Sequence, residues 1–475
     1  MISPGPASPR QPSARVSRET SRRRFAVPAV AALALLAVFA AACSKPASPA
    51  GWASARPVTV QGKDVVLVAN KAHLYALPVG SSLENWQFPP KVKDGYPVSE
   101  QASAQILALV DALPVTDTDK TKLKGKVADL TVNGATISGL KDAIDALVPA
   151  PGGDAAALKQ QQSDLKSTVD AATKFEKGAL DKLQAFYGDF GVSSDGKTVF
   201  VVPFRGIAFA LDIASGHTRW VRNSGDQVVG GIAVDGDRLY FGTKGKHLFA
   251  VEAATGKTIW QFNTRGQVWD TPTIDGDTIY VSSLDGSLYA LDKSGAQKWV
   301  FRGVTSGIGA RPVVSGGLVF IGAFDNKLYA VSTSDGTEKW SLKAGNWFWA
   351  TPVVKDGVLY AASLDGKVYA VDAQTGAPKW AHPFDANSAI RSAPAIAGGG
   401  LVVASRNGHI FKLDLASGTS SDGGTMVLGG VEVLADLVNK PGGDSVYVVP
   451  SIATLFEIDA SGTLGALPGS TPLPK

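Results

Sequence analysis

The sequence is short of reactive side chains. It has one cysteine, Cys43, in 475 residues, so no intrachain disulfide can form and the fold must be held by its core alone. There is no Gly-x-Ser-x-Gly elbow, no P-loop and no Gly-rich helix start of the dinucleotide-binding kind. No Ser/His/Asp arrangement stands out either, which leaves nucleophilic catalysis without a candidate. An excess of one charge is also missing. The net charge of +4 arises in residues 1–42, where six Arg face one acid, Glu19. Beyond that segment 40 basic residues meet 41 acidic ones, a net of −1, so the body has no basic footprint for nucleic acid. What is present is 52 Gly, 8% aromatic and 45% hydrophobic residues, a composition suited to many short strands joined by tight turns.

Residues 1–24 are polar and basic, and Phe25–Ala42 is an apolar run of 18. Ser21-Arg22-Arg23-Arg24-Phe25 resembles the twin-arginine export signal, an address read by a receptor, with Arg22 and Arg23 as its pair. The run ends at Ala40-Ala41-Ala42-Cys43 and passes into a Ser/Pro/Ala-rich stretch, a boundary that resembles a bacterial lipoprotein signal. That resemblance implies lipid on Cys43 and a tether to the membrane, although Ala40 stands where lipoproteins prefer Leu. Ordinary cleavage after Ala42 also fits the pattern of small residues. An uncleaved membrane helix is a third reading, weakened by Pro28 and the Ala-rich composition. The expectation is an exported chain, anchored by lipid to the outer face of the cytoplasmic membrane or residing in the periplasm.

The strongest signal is an internal repeat. Trp86, Trp220, Trp260, Trp299, Trp340 and Trp380 mark it, the last five spaced 40, 39, 41 and 40 residues apart. An aromatic recurs upstream of each, at Tyr75, Phe209, Phe249, Tyr289, Tyr329 and Tyr369, and the same register finds Phe411 and Phe456, giving eight copies. Each copy divides into four short strands. In the sixth these are Thr351–Val354, Gly357–Ala361, Val368–Val371 and Pro378–Trp380, separated by turns such as Leu364-Asp365-Gly366 in which Gly accepts a positive φ without steric cost. Four short antiparallel strands every ~40 residues are the sequence form of a propeller blade.

The segment Asp372-Ala373-x-Thr375-Gly376-x-x-x-Trp380, with partial copies ending in Trp260 and Trp220, resembles the tryptophan-docking motif of pyrroloquinoline-quinone-like (PQQ-like) β-propellers and their non-enzymatic, BamB-like branch. The resemblance covers roughly 55–90 and 190–465. It implies an all-β, eight-bladed propeller of four-stranded antiparallel blades, in which the six periodic Trp serve structural docking of blade on blade.

Between the first and second copies about 94 residues are extra, and their pattern is helical. Ile106, Leu107, Leu109, Val110 and Leu113 precede Pro114, and Leu140, Ile144 and Leu147 precede Pro149. Asp154 can cap a long helix whose stripe is Leu158, Leu165, Ala172, Ala179 and Phe186, with Val169, Leu180 and Leu183 alongside. The expected organisation is a signal peptide at 1–42, a flexible linker at 43–54, blade 1 at 55–97, a helical insertion of three or four helices at 98–189, blades 2–8 at 190–465 and a tail at 466–475.

The resemblance also names an enzymatic branch, whose cofactor is surrounded by a calcium-holding set of Glu, Asn and Asp, a catalytic Asp and an adjacent Cys-Cys pair. One cysteine rules out the pair, and no cluster matches the calcium ligands, so no catalytic, cofactor or metal residue is assigned and no cofactor is expected. His73, His247 and His409 share one repeat position and are therefore spread around the ring, unable to converge on an ion. A binding face is expected instead where the connections between blades meet. Those connections carry Trp269, Asp270, Arg311, Trp347, Trp349 and Arg391, and the three Trp lie off the docking period. Trp and Arg are the usual anchors of binding hot spots, although the Trp could equally plug the channel. The reading is a monomeric scaffold for protein partners at the cell envelope, possible roles including envelope or outer-membrane protein assembly. The alternatives are a degenerate quinone-dependent dehydrogenase and a carbohydrate- or ligand-sensing propeller.

Overall fold

Short runs of alternating apolar residues, separated by Gly-containing turns, build eight four-stranded antiparallel sheets. They span 55–88, 191–223, 233–263, 273–301, 313–343, 353–385, 395–427 and 438–466, and are called blades 1 to 8. The structure, a computed structural model, describes residues 55–60, 62–70, 73–78, 86–90, 95–132, 135–420, 426–428, 431–440, 444–450, 455–459 and 463–466. The export signal with Arg22 and Arg23, the lipidation site Cys43, the linker 43–54 and the tail past Ala466 lie outside the described residues.

Period-two alternation lets each strand serve two cores at once. In the second strand of blade 4, Ile279 and Val281 join the cluster shared with blade 3, while Tyr280 joins the cluster shared with blade 5. Eight such clusters each combine two consecutive blades, and the last sets Tyr447 and Val449 of blade 8 against Val66 and Tyr75 of blade 1. The sheets therefore close into an eight-bladed propeller. Every sheet takes its strands in chain order, so no strand is shared across the closure.

Five of the periodic Trp sit on the outer strands, Trp380 lies just ahead of that of blade 6, and all six reach into the following blade. Trp86, Trp220, Trp260, Trp299, Trp340 and Trp380 donate their Nε1–H to the carbonyls of Ile213, Ala253, Lys293, Thr333, Ala373 and Leu415, at 2.7 to 3.1 Å. Each ring lies over a turn glycine of that blade, and a Cβ on those glycines would fall 2.5 to 2.8 Å from ring carbons. Only Gly satisfies both the contact and the positive φ of +71 to +89 found there.

Between blades 1 and 2 stand four helices, α1 (Glu100–Asp111), α2 (Asp117–Ala128), α3 (Thr136–Asp145) and α4 (Ala155–Asp181). Ser99, Thr116 and Asp154 cap three of them by accepting backbone N–H bonds. Ile106, Val110, Leu140, Ile144, Leu158, Leu165 and Val169 form a core of their own. The insertion packs along the outer strand of blade 2, and Gln101 reaches the Thr255 carbonyl in a turn of blade 3. Among the described residues no helix is long and apolar enough to cross a membrane.

Three details differ from the sequence reading. The long helix ends at Asp181, so Leu183 and Phe186 leave its stripe, and Phe186 packs instead in the core between blades 1 and 2. Helix α2 carries only two buried apolar residues, Leu123 and Val127, too few to announce a helix by periodicity. In blade 6 the outer strand is Phe384–Asp385 rather than Pro378–Trp380. Pro378 has no N–H to give the ladder and makes only an isolated bridge to Val371, yet Trp380 still docks.

Candidate docking site at the channel mouth

The chain crosses from each outer strand to the next blade's innermost strand on one face of the ring. Seven of these crossings converge at the axis, from Tyr187–Asp189 before blade 2 round to Leu434–Asp436 before blade 8. Five of the six predicted face residues, Trp269, Asp270, Arg311, Trp349 and Arg391, line the cavity they enclose. Trp347 does not line it. It stands behind, with its ring 4.9 Å from that of Phe324.

The aromatic side of the mouth is a stack. Phe324 lies between the two tryptophans, 5.3 Å from Trp349 and inclined at 20° to it, and the Arg391 guanidinium sits 4.4 Å over the Trp349 ring. Trp269 approaches Trp349 at 6.4 Å and donates its Nε1–H to Gln267 Oε1 at 2.7 Å. Cation–π and offset ring contacts of this kind fix the side chains in place.

The polar side sets three carboxylates, Asp189, Asp270 and Asp436, among three guanidiniums, Arg56, Arg311 and Arg391. Arg311 Nη1 lies 3.8 Å from Asp189 Oδ2, bridging the crossings before blades 5 and 2, and Arg56 Nη1 donates to the Phe190 carbonyl. Asp270 accepts from the Thr271 N–H and Asp436 from the Ala393 N–H, each at 2.6 Å. Both residues are partly accessible at the surface, yet the surrounding protein removes much of the hydration of their carboxyls. Burial, aided by the neighbouring carboxylates, pushes Asp270 up to about 7 and Asp436 up to about 6, despite those N–H bonds and Arg311. Burial likewise draws Arg391 down to about 10 and lowers Arg56. With both carboxyls ionised the six groups balance, so the mouth turns positive as the pH falls.

Asp189, Asp436, Arg56 and Phe324 were not foreseen from sequence. Asp189 and Asp436 stand two residues before the first strands of their blades, the same offset as Arg311, which was the signal available. Phe324 comes from a turn within blade 5, and only the fold brings it to the crossings.

The quinone and calcium of the enzymatic PQQ-like branch do not fit these residues. The enclosed space is about 80 Å³, against roughly 300–1,000 Å³ for pockets that take cofactors. Trp349 already stacks with Phe324 and Arg391, which also makes it a poor platform for a sugar. Among the described residues no group of His, Cys, Asp and Glu is arranged to hold a metal ion. His73, His247 and His409 begin the third strands of blades 1, 3 and 7, apart from one another.

The family model of the outer membrane protein assembly factor BamB matches residues 205–308 and 301–461. It thus runs from the third strand of blade 2 to the third strand of blade 8 and leaves out blade 1 and the helices. Among solved structures, the chain is similar to BamB from Moraxella catarrhalis, at 19% identity over 58% of this chain and 86% of that one, with a TM-score of 0.49. It is also similar to the computationally designed Ika8 protein, at 16% identity over 59% and 82% of the two chains, with a TM-score of 0.48. No curated protein sequence matches.

Proposed function

Because the chain belongs to the PQQ-like propeller family described by the outer membrane protein assembly factor BamB, we propose that it is a non-catalytic docking scaffold for protein partners at the cell envelope. On this reading the mature chain is exported through the signal containing Arg22 and Arg23 and tethered by lipid on Cys43. It engages its partner at the channel mouth as a monomer. The observation that carries the reading is the pre-stacked group of Trp269, Trp349, Phe324 and Arg391 beside the half-exposed Arg311. Rigid aromatic and guanidinium anchors of this kind dominate binding hot spots. A role in assembling envelope proteins is consistent with the family.

Replacing Arg311 with a photo-crosslinking amino acid in cells tests the site. Asp277 serves as control, because its side chain is 91% exposed on a hairpin at the opposite face. A discrete protein adduct is expected at 311 and not at 277, and Trp269→Ala with Arg391→Ala should abolish it. Equal labelling at both positions, or none at 311, would count against docking at the mouth.

A further inference from the structure

Charge continues outward from the channel mouth, and unevenly. The hairpin turns between second and third strands lie on the same face as the crossings and are bonded to them through the backbone. Lys244 N–H donates to the Gln227 carbonyl, Leu284 to Gln267, Phe324 to Gly307, Leu364 to Trp347 and Arg406 to Ala389, at 2.8 to 2.9 Å. Beyond the six groups balanced at the axis, the turns and crossings from blade 2 to the entry of blade 5 carry Arg205, Lys244, Lys246, Arg265 and Arg302. They carry only two acids, Asp226 and Asp285, so five cations over two carboxylates leave a net of +3. From the turn of blade 5 to the entry of blade 8 the balance reverses, with Arg406 against Asp325, Asp365 and Glu432, a net of −2.

The cations are also the accessible part of the positive sector. Arg205, Lys246, Arg265 and Arg302 are exposed and Lys244 is partly so. Asp285 is turned to its own blade, where it accepts the Tyr289 hydroxyl and the N–H of Arg265 and Ser287. Asp226 accepts the Gln227 N–H and lies against Gly245, where a Cβ would fall 1.8 Å from its Oδ2. In the opposite sector Arg406 is paired with Glu432 at 2.8 Å.

An aromatic step joins the cations to the cavity. Lys244 Nζ lies 5.4 Å from the centre of the Phe204 ring, and that ring meets Tyr187 edge-on at 5.3 Å. Tyr187 in turn lines the cavity with Trp269 and Arg311. A chain crossing the rim at blade 3 would therefore pass from lysines over rings to a guanidinium.

On the reading that the mouth docks a partner, we infer that the partner segment is a short acidic peptide stretch, its carboxylates held by Lys244, Lys246 and Arg265 and its leading side chain reaching Arg311 past Tyr187. Matching charge of this kind sets encounter rate and orientation more than raw affinity. Because one sector alone is positive, it also fixes the side from which the segment enters. A nucleic acid or an anionic bilayer fits less well, since the positive sector is short, gives way to acidic turns, and belongs to a body of net charge −1.

Fluorescence polarisation on the purified full chain tests the assignment with two labelled peptides, one of alternating glutamate and alanine, the other with glutamine for glutamate. The glutamate peptide is expected to bind on the order of tenfold more tightly at low salt, and to lose that margin as salt screens the rim. Lys244→Glu, Lys246→Glu and Arg265→Glu together should abolish the preference. Lys355→Glu should leave it, because Lys355 is half-exposed on a hairpin at the opposite face. Equal binding of the two peptides by the unaltered chain would overturn the inference, and so would a preference that survives the triple reversal. Tighter binding to phosphatidylglycerol vesicles or single-stranded DNA than to the glutamate peptide, lost in the same triple variant, would overturn the choice of a peptide. A crosslink at 311 without any glutamate preference removes this inference alone, whereas absence of that crosslink removes the docking reading beneath it.

Discussion

The indole of Trp299 lies on Gly336 so closely that a Cβ at that glycine would fall 2.6 Å from the ring. Gly336 also has φ +72, so an alanine there meets both strain and collision. Gly336→Ala is expected to cost about 2–4 kcal/mol, and Trp299→Ala about 3 kcal/mol. In the double variant the collision is gone and only strain remains, so the combined loss should fall short of the sum by at least about 1 kcal/mol. Urea denaturation of the four proteins measures this, and strict additivity would show that ring and glycine do not meet.

The carboxyls at the channel mouth predict the pH response. Asp270 and Asp436 titrate near 7 and 6 in the folded chain, above an unfolded value near 4. Between those values the folded state holds more protons than the unfolded one, so stability falls as the pH rises from about 4 to 7. Groups such as Asp335, drawn down to about 2 by bonds from Ser332 and Thr337, act oppositely and weaken the fold in stronger acid. Maximal stability is therefore expected between about pH 4 and 5, declining by about 1–3 kcal/mol toward pH 8. Asp270→Asn with Asp436→Asn should flatten that decline, and an unaltered slope in thermal melts would refute the assignment.

In blades 4, 5 and 6 a tyrosine hydroxyl donates to an aspartate in the turn before it, Tyr289 to Asp285, Tyr329 to Asp325 and Tyr369 to Asp365. The same carboxylates accept the N–H of Arg265, Thr305 and Gly345 in the incoming crossings, a clamp that removal of one hydroxyl tests. Tyr329→Phe leaves the apolar packing intact but deprives Asp325 of a charge-assisted bond, and should cost about 1–3 kcal/mol. In blade 7, where Phe411 already occupies the tyrosine position, Phe411→Tyr has no aspartate to meet and should bring no comparable gain. Calorimetric melting of both variants gives the comparison.

Within the insertion, Glu176 is only 5% exposed and accepts both the N–H and the hydroxyl of Ser99, at 2.9 and 2.5 Å. Glu176→Ala would strand two buried donors at the start of α1, at a cost of about 2–4 kcal/mol. Because the helices have a core of their own, the damage should show as lost helical circular dichroism while the Trp fluorescence of the ring persists. Parallel loss of both signals would mean that the insertion and ring unfold as one.

The blade count was legible because one bulky residue recurs at nearly constant spacing and touches the same partner each time. The mouth was legible by position, since Trp269, Asp270, Arg311, Trp349 and Arg391 all precede first strands. Trp347 shares that position, but its ring turns away to Phe324, and a rotamer choice leaves no mark in sequence. The clamps were overlooked although Asp285, Asp325 and Asp365 recur at the blade period, each four residues before its tyrosine. They resemble ordinary turn residues until the crossings are laid beside them. Helix α2 and the displaced outer strand of blade 6 were hidden for local reasons, few apolar positions in one and Pro378 in the other.

The contact made by Trp86 also bears on the order in which the ring assembles. Its bond to Ile213 spans 127 residues, whereas the five other docking bonds span 33 to 35. Closing the longer loop from a random chain costs about 1 kcal/mol more in entropy, and contacts distant in sequence form slowly. Helices that fold early would shorten that path and hold their two ends close together. The insertion then serves as a splint during folding, and blade 1 is expected to join the growing ring only after the helices have formed.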